Sequence, residues 1–235
     1  SAGAGQCSVQ SPTGNLPPTA DAGSDYTIPK STPFVLNGIS TDPDDGDVLS
    51  HNWEQMDHEI GSMPPANTSV DGPMFRSNNA LSKASRYMPE IATVLNGQTQ
   101  TTWEVVPSVG RTMEFRYTVR DNVAGGASSA SDNMIVTVEG GAGPFIITSQ
   151  ETATTWQTQS TETITWDVAN TDVAPVDSPN VDILFSIDGG QTYPVVIAND
   201  IPNTGSALVN THNLNTTKGR IIVISAKNIL YKLKG

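Results

Sequence analysis

Residues 112–121 read TMEFRYTVRD, and their alternation decides the fold. Met113, Phe115, Tyr117 and Val119 fall on one face of an extended chain, and Glu114, Arg116, Thr118 and Arg120 on the other. That is the period-2 pattern of a strand with one buried face. On either side the same signature recurs in shorter pieces. Strands are expected at Tyr26–Ile28, at Pro33–Gly38 and in VLSHNWEQ (48–55), and MIVTVE (134–139) closes the set after a Gly/Ser loop. No stretch shows a sustained 3.6-residue apolar period, so the chain is expected to be all-β.

Beyond GGAGP (140–144), which reads as a short Gly-rich linker, a second β pattern begins. ETITWDV places Ile164, Trp166 and Val168 on one face. NVDILFSIDGGQTY does the same for Val181, Ile183, Phe185 and Ile187, and Asp188-Gly189-Gly190 then turns the chain. GRIIVISAKN supplies another strand. The chain ends ILYKLKG, so either a final strand is missing or these last residues serve as it. The expected architecture is two immunoglobulin-like β-sandwich domains in tandem. Residues 1–18 form a linker, 19–140 the first sandwich and 141–235 the second, with room for truncation at its C-terminal edge. Trp53, Phe115, Trp166 and Phe185 sit at strand-period positions and are assigned to the cores.

Residues 56–108 break the pattern. MPP, DGP, SNN and VPS punctuate them with little alternation. A long insertion of this kind is usually functional or carries substructure of its own. Arg86, Tyr87 and Trp103 stand outside any strong alternation there, as do Phe75 and Arg76. They are candidates for a ligand-binding surface, since aromatic and arginine side chains are the usual hot spots of recognition. The competing and favoured reading packs SRYMPEIATVLNG back on the sandwich, with Tyr87 and Trp103 in a satellite core.

With 24 acidic against 12 basic residues the net charge is −12, which argues against a nucleic-acid partner. No apolar run approaches the ~20 residues of a membrane span, and no signal peptide is visible. The opening SAGAGQC does not read as a native start, so the chain is expected to be a fragment. Cys7 alone cannot staple the fold. The β-rich composition, with many Thr and Asn and few Lys, leans towards a secreted or cell-surface protein, and a monomer is expected.

Catalytic constellations are missing from the sequence. There is no HExxH, no GxSxG and no phosphate-binding Gly-rich loop. His51, His58 and His212 do not have zinc-ligand spacing, and each reads as a core or surface histidine. The chain is therefore expected to be no enzyme and to hold no zinc. The live chemistry is calcium. STDPDDGD (40–47) puts Asp42, Asp44, Asp45 and Asp47 in one turn. In an immunoglobulin-like sandwich that turn lies at the same end as Asp121 and Asn122 and as the lead-in near Asn15. Ca²⁺ takes ~6–8 oxygen ligands, and Asp42, Asp44, Asp47 and Asp121 are the candidate set. DPDDGD is equally good turn sequence with no metal, and the two readings stand side by side.

PPTADAGSDYTI (17–28), FVLNGISTDPDDGDVLSHNWEQ (34–55) and EFRYTVRDNVAGGASS (114–129) together resemble a PKD domain, an immunoglobulin-like sandwich of secreted bacterial proteins. A narrower resemblance runs through DYTIPKSTPFVL, NWEQMD, GPMFRS, SRYMPEIATVLNG, the long run at 101–126, GPFIITS, TITWDVANTDVAPV and VDILFSIDGGQTYPVVIA. In that order they are similar to the non-catalytic region that follows the catalytic domain in secreted reprolysin-like zinc metalloproteases. Through its TWD and LFSIDGGQTY runs, the second unit also resembles the Ser/Thr-rich, Kre9/Knh-like sandwich of cell-wall-associated proteins. Members of the protease group carry cysteines beside the WEQ tryptophan and near the AGG loop. His51/Asn52 and Ala127/Ser128 stand there instead, so that disulfide is absent.

The resemblance implies a non-catalytic accessory region that spaces a catalytic domain and assists binding to a protein or polysaccharide substrate or to a cell surface. The alternative is an adhesion or carbohydrate-binding module with no protease attached, and a third reading is a pure spacer stiffened by calcium.

Overall fold

The computed structural model describes residues 12–157, 159–211 and 214–234. Cys7 and His212 lie outside the described residues.

The alternating stretch is the central strand of the first sandwich. β1 (Tyr26–Pro29), β2 (Phe34–Asn37), β3 (Ser50–Gln55), β4 (Ser85–Met88), a short helix α1 (Ile91–Leu95), β5 (Arg111–Arg120) and β6 (Ser129–Glu139) follow one another along the chain. One sheet has the order β1-β6-β5-β3, with β1 parallel to β6 and the other pairs antiparallel. β2 and β4 form the facing ribbon. Met113, Phe115, Tyr117 and Val119 are buried as their spacing requires. Trp53 sits opposite Tyr117 in the β3–β5 register, and their rings stack at 4.8 Å. Phe34 packs edge-on against both Phe75 and Phe115.

The insertion is more ordered than its sequence suggests. It supplies β4, without which β2 would have no strand partner, and it buries Met74, Phe75, Met88, Val105 and Val106 in the first core. Its alternation was hidden because β4 is only four residues long and is followed at once by Pro89 and α1.

The second sandwich holds β7 (Ile146–Ile147), β8 (Thr161–Asp167), β9 (Asn180–Ser186), β10 (Val195–Pro202), β11 (Ser206–Asn210), β12 (Arg220–Ser225) and β13 (Tyr231–Lys234). Its sheets have the orders β10-β9-β12-β13 and β11-β8-β7. Ile164, Trp166, Val181, Ile183, Phe185, Ile221 and Val223 meet between them. Val168 is only partly buried. Ile187 departs from expectation: β9 ends at Ser186, the turn begins, and Ile187 is 48 % exposed. The last residues do serve as a strand, since β13 pairs antiparallel with β12.

The two units are not beads on a flexible link. Gly143 has φ +88 and lies so close to the Lys30 carbonyl that a Cβ there would collide with it. The Phe145 N–H donates to Thr32 Oγ1 at 2.9 Å, and the Asn228 side chain donates to the Thr27 carbonyl at 2.8 Å. The approach to β13 then runs along β2. Val35 N–H donates to Ile229 O at 2.9 Å, and Tyr231 N–H to Pro33 O at 3.1 Å. Around this join a third apolar cluster forms. Val35 and Val94 come from the first unit and Ile222, Tyr231 and Leu233 from the second, with Tyr87, Ile91, Leu95 and Tyr193 packed on them.

Candidate metal centre

Three segments converge at one end of the first sandwich. The turn before β3 carries the aspartates, the loop after β5 begins with Asp121, and the lead-in brings Asn15 and Leu16. The turn folds locally because Asp42 Oδ1 accepts the Asp44 N–H at 2.8 Å, an Asx-turn. Gly46 adopts φ +97 to complete the reversal. The lead-in is tied down by Leu16 N–H, which donates to Asp44 Oδ2 at 2.6 Å.

Asp42, Asp44 and Asp47 each present one carboxylate oxygen, and these lie within 4.8 Å of one another. Asp42 Oδ2 and Asp47 Oδ2 are shielded from solvent and have no hydrogen-bond partner among the described residues. Shielding, then the negative charges of Asp42, Asp44 and Asp121, push the Asp47 carboxyl above the usual carboxylate range. Unpartnered carboxylate oxygens facing like charges fit a hard divalent cation. The donor set is all oxygen with no histidine or cysteine, which suits Ca²⁺ and not Zn²⁺. Water would complete the coordination.

Asp121 belongs to the centre in charge but not in donor geometry. It is 1 % exposed and its oxygens are already engaged. Asn15 Nδ2 donates to Oδ2 at 2.7 Å, Ser128 N–H lies 2.9 Å from both oxygens, and Val123 N–H donates to Oδ1 at 3.2 Å. The Asn15 amide, chiefly, holds its pKa below the usual range, with backbone N–H groups adding to it and burial opposing. The structure therefore groups Asp42, Asp44 and Asp47 as the carboxylates that could hold a cation and sets Asp121 apart, as the clamp that fixes Asn15 beside them. Asn15 also donates to Gly126 O at 3.0 Å, so one amide bridges lead-in and loop.

Arg86, Tyr87 and Trp103 are not brought together. Arg86 is 9 % exposed and donates to Trp53 O at 2.6 Å, to Arg76 O at 2.7 Å and to Glu104 Oε1 at 2.7 Å. Glu104 is itself buried, and its second oxygen accepts the Glu90 N–H at 2.9 Å. The pair staples the insertion to β3, which leaves Arg86 no reach towards a ligand. Tyr87 meets Tyr231 edge-on at 5.3 Å in the seam between the units. Trp103 is 42 % exposed on the surface. Of the histidines, His51 is buried with Nδ1 2.8 Å from the Tyr117 hydroxyl, and burial lowers its pKa. His58 is exposed beside Glu59.

Sequence reasoning passed over a cleft of about 420 Å³ in the second sandwich, beside Trp156 and Arg220. Its signal was present in ETATTWQTQS (151–160), where a tryptophan stands among threonines outside any strand pattern.

No family model matches the chain, and no curated protein matches it. Several solved structures can be overlaid on it. A chimeric titin Z1Z2 functionalised with a KLER exogenous peptide from decorin is 8 % identical, with 92 % of this chain and 94 % of that one covered, at a TM-score of 0.29. Drosophila N-cadherin EC1-4 is 10 % identical at a TM-score of 0.30, and this chain, 93 % covered, spans 49 % of its length. Bacteroides uniformis β-glucuronidase 3 is 10 % identical at 0.26, over 93 % of this chain and 25 % of that one. Overlays this loose carry no argument, and the assignment to all-β, immunoglobulin-like sandwich domains rests on the strand orders and cores above.

Proposed function

We propose that this chain is a non-catalytic accessory region of a secreted metalloprotease, which spaces the catalytic domain and helps hold it on a protein or polysaccharide substrate or surface, with calcium stiffening its first sandwich. The observation that carries the reading is the apolar seam of Val35, Val94, Ile222, Tyr231 and Leu233. A spacer that must set a distance needs two units that do not hinge, and a continuous buried seam supplies that rigidity. The ordered sequence resemblance supplies the protease context.

The test is to purify the chain to homogeneity and assay it for peptidase activity and for co-sedimentation with insoluble protein and polysaccharide. The expected result is co-sedimentation without hydrolysis. Peptidase activity that tracks the pure chain, or failure to sediment with any polymer, overturns the reading. The adhesion reading shares this surface binding, and the exposed Trp156 cleft favours it. It separates on a glycan array, where tight and selective binding to one cell-surface glycan points to a module independent of a protease.

A further inference from the structure

We infer that the cleft beside Trp156 is a binding site for acidic saccharides, such as uronate- or sulfate-bearing chains. This rests on the surface-binding part of the reading above and adds the face and the ligand class.

The cleft is built rather than incidental. Gln157 O accepts the Thr211 hydroxyl at 2.7 Å and the Ser160 hydroxyl at 2.8 Å, and Thr211 is buried. That ties down the loop on the residue after Trp156. The indole then lies on the core, its ring 5.7 Å from Phe185 and tilted by 31°. Gly219 is required behind it, because a Cβ there would come within 2.8 Å of the Phe185 ring. A half-buried indole fixed in this way is a platform for the apolar C–H face of a pyranose.

The rim supplies the other half of sugar chemistry. Thr152, Thr154, Thr155 and Thr217 line the cleft, and their hydroxyls make no hydrogen bond with any described residue. Thr216 is by contrast engaged with Ile187 O at 2.8 Å. Four free hydroxyls match a polyol, which both donates and accepts. At about 420 Å³ the cleft has the size of an ordinary ligand site.

Charge selects among sugars. The chain carries 24 acidic residues against 12 basic ones, yet Arg220 and Lys234 both line this cleft and, among the described residues, no Asp or Glu does. Among the described residues Arg220 makes a side-chain bond only to Gly219 O, at 2.8 Å, which leaves donors for a carboxylate or sulfate. Outside the cleft an acidic surface repels the same polymer, so the field steers an anionic chain to this place. An acidic peptide would satisfy the two cations but would leave the indole face and the row of hydroxyls without partners.

The test is calorimetry on the full chain with galacturonate tetramers and chondroitin sulfate tetramers. Cellotetraose is the neutral control and poly-L-glutamate the peptide control. Acidic tetramers are expected to bind, with cellotetraose and poly-L-glutamate much weaker. Arg220→Gln should weaken binding about tenfold or more, the scale of one hydrogen bond to a charged group. Trp156→Ala should abolish it and Trp156→Tyr retain part of it. Where Trp156→Ala fails to fold, Arg220→Gln and Lys234→Gln, with melts matching the parent, decide the matter. Unchanged binding in that pair, equal binding of poly-L-glutamate, or no binding of either acidic tetramer overturns the assignment. Sedimentation with neutral polymers or with protein in that last case leaves the accessory reading standing while this one falls.

Discussion

Val94→Asp tests whether the two sandwiches form one mechanical unit. Val94 lies on α1, in the insertion of the first unit, and is 3 % exposed against Ile222, Tyr231 and Leu233 of the second. Burial of a valine side chain contributes about 1.5–3 kcal/mol. Aspartate forfeits that and places a carboxylate in an apolar seam. The seam's members are apolar and aromatic side chains, so the group protonates at a cost or forces the seam open to water. The combined loss is about 3–4 kcal/mol at neutral pH.

The damage is confined to the join. The first core is built on Phe34, Trp53, Phe115 and Tyr117, and the second on Ile164, Trp166 and Phe185, none of which belongs to the seam cluster that holds Val94. The parent is therefore expected to melt in a single calorimetric transition and Val94→Asp in two. Small-angle scattering should show a larger radius of gyration for the variant. Because burial raises the pKa of the new carboxyl, its penalty is small below the ordinary carboxylate range. It grows as pH rises through the raised value, so melting at acid pH should restore part of the coupling. Val94→Ala, which removes two methyl groups, should cost only about 1.5 kcal/mol and keep the single transition. A parent that already melts in two steps, or a Val94→Asp chain as compact and cooperative as the parent, refutes the idea of a rigid seam.

Calcium titration of the chelated chain should give a saturable signal and a raised melting temperature, with about 2.7 kcal/mol of stabilisation at a hundredfold excess over Kd. Asp44→Ala should abolish that signal, and Asp121→Ala should weaken it by freeing Asn15; a flat titration makes STDPDDGD a turn and nothing more. The raised pKa of Asp47 fixes the sign of the pH effect. Its repulsion is absent below the ordinary carboxylate value and sets in as pH climbs through the raised one, so the chelated chain loses stability across that window while its calcium affinity rises. Paired melts in EDTA and in Ca²⁺ across the window check both arms. Arg86→Ala should cost about 3–5 kcal/mol in urea denaturation, because it strands the buried Glu104. Replacing both partners, as in Arg86→Met with Glu104→Leu, should recover much of that loss, and a loss as large in the double variant speaks against the staple.

The fold was legible wherever strands were long enough to show their period. β5 reveals itself through the strict alternation of Met113 to Arg120, eight of its ten residues. The convergence of Asn15, the acidic turn and Asp121 was legible too, since sandwich topology places those loops at one end. Asp121's saturation was not, because it depends on backbone N–H groups of Val123 and Ser128 that only the folded loop aims inward. The strand β4 was hidden by its length, and Arg86 deceived by its type. An exposed arginine and a buried arginine holding three acceptors look alike in a sequence until Glu104, eighteen residues on, is brought beside it. The seam was invisible for a related reason. Val35 lies in the expected strand Pro33–Gly38 and Val94 in SRYMPEIATVLNG, and nothing local says that their partners come from residues 222–233.

The placement of the acidic centre and the seam gives them a joint meaning. Asp121 follows the last residue of β5, while Arg111 at its start pairs with Val138, two residues before the Gly140–Gly141 turn into the second unit. Ten residues of strand separate them, about 33 Å. The chain thus enters the first sandwich at one end, where Asn15 and Leu16 are hydrogen-bonded, and leaves it at the other, where Gly143 and the seam fix its direction. A clamp at each end of a stiff strand makes the vector from lead-in to second sandwich a property of the folded chain. Loosening either clamp alone should widen the distribution of that vector without unfolding either core. Distances between spin labels on the lead-in and on β10 are therefore expected to broaden in EDTA and in Val94→Asp alike, and to stay narrow in Trp103→Ala, which touches neither end.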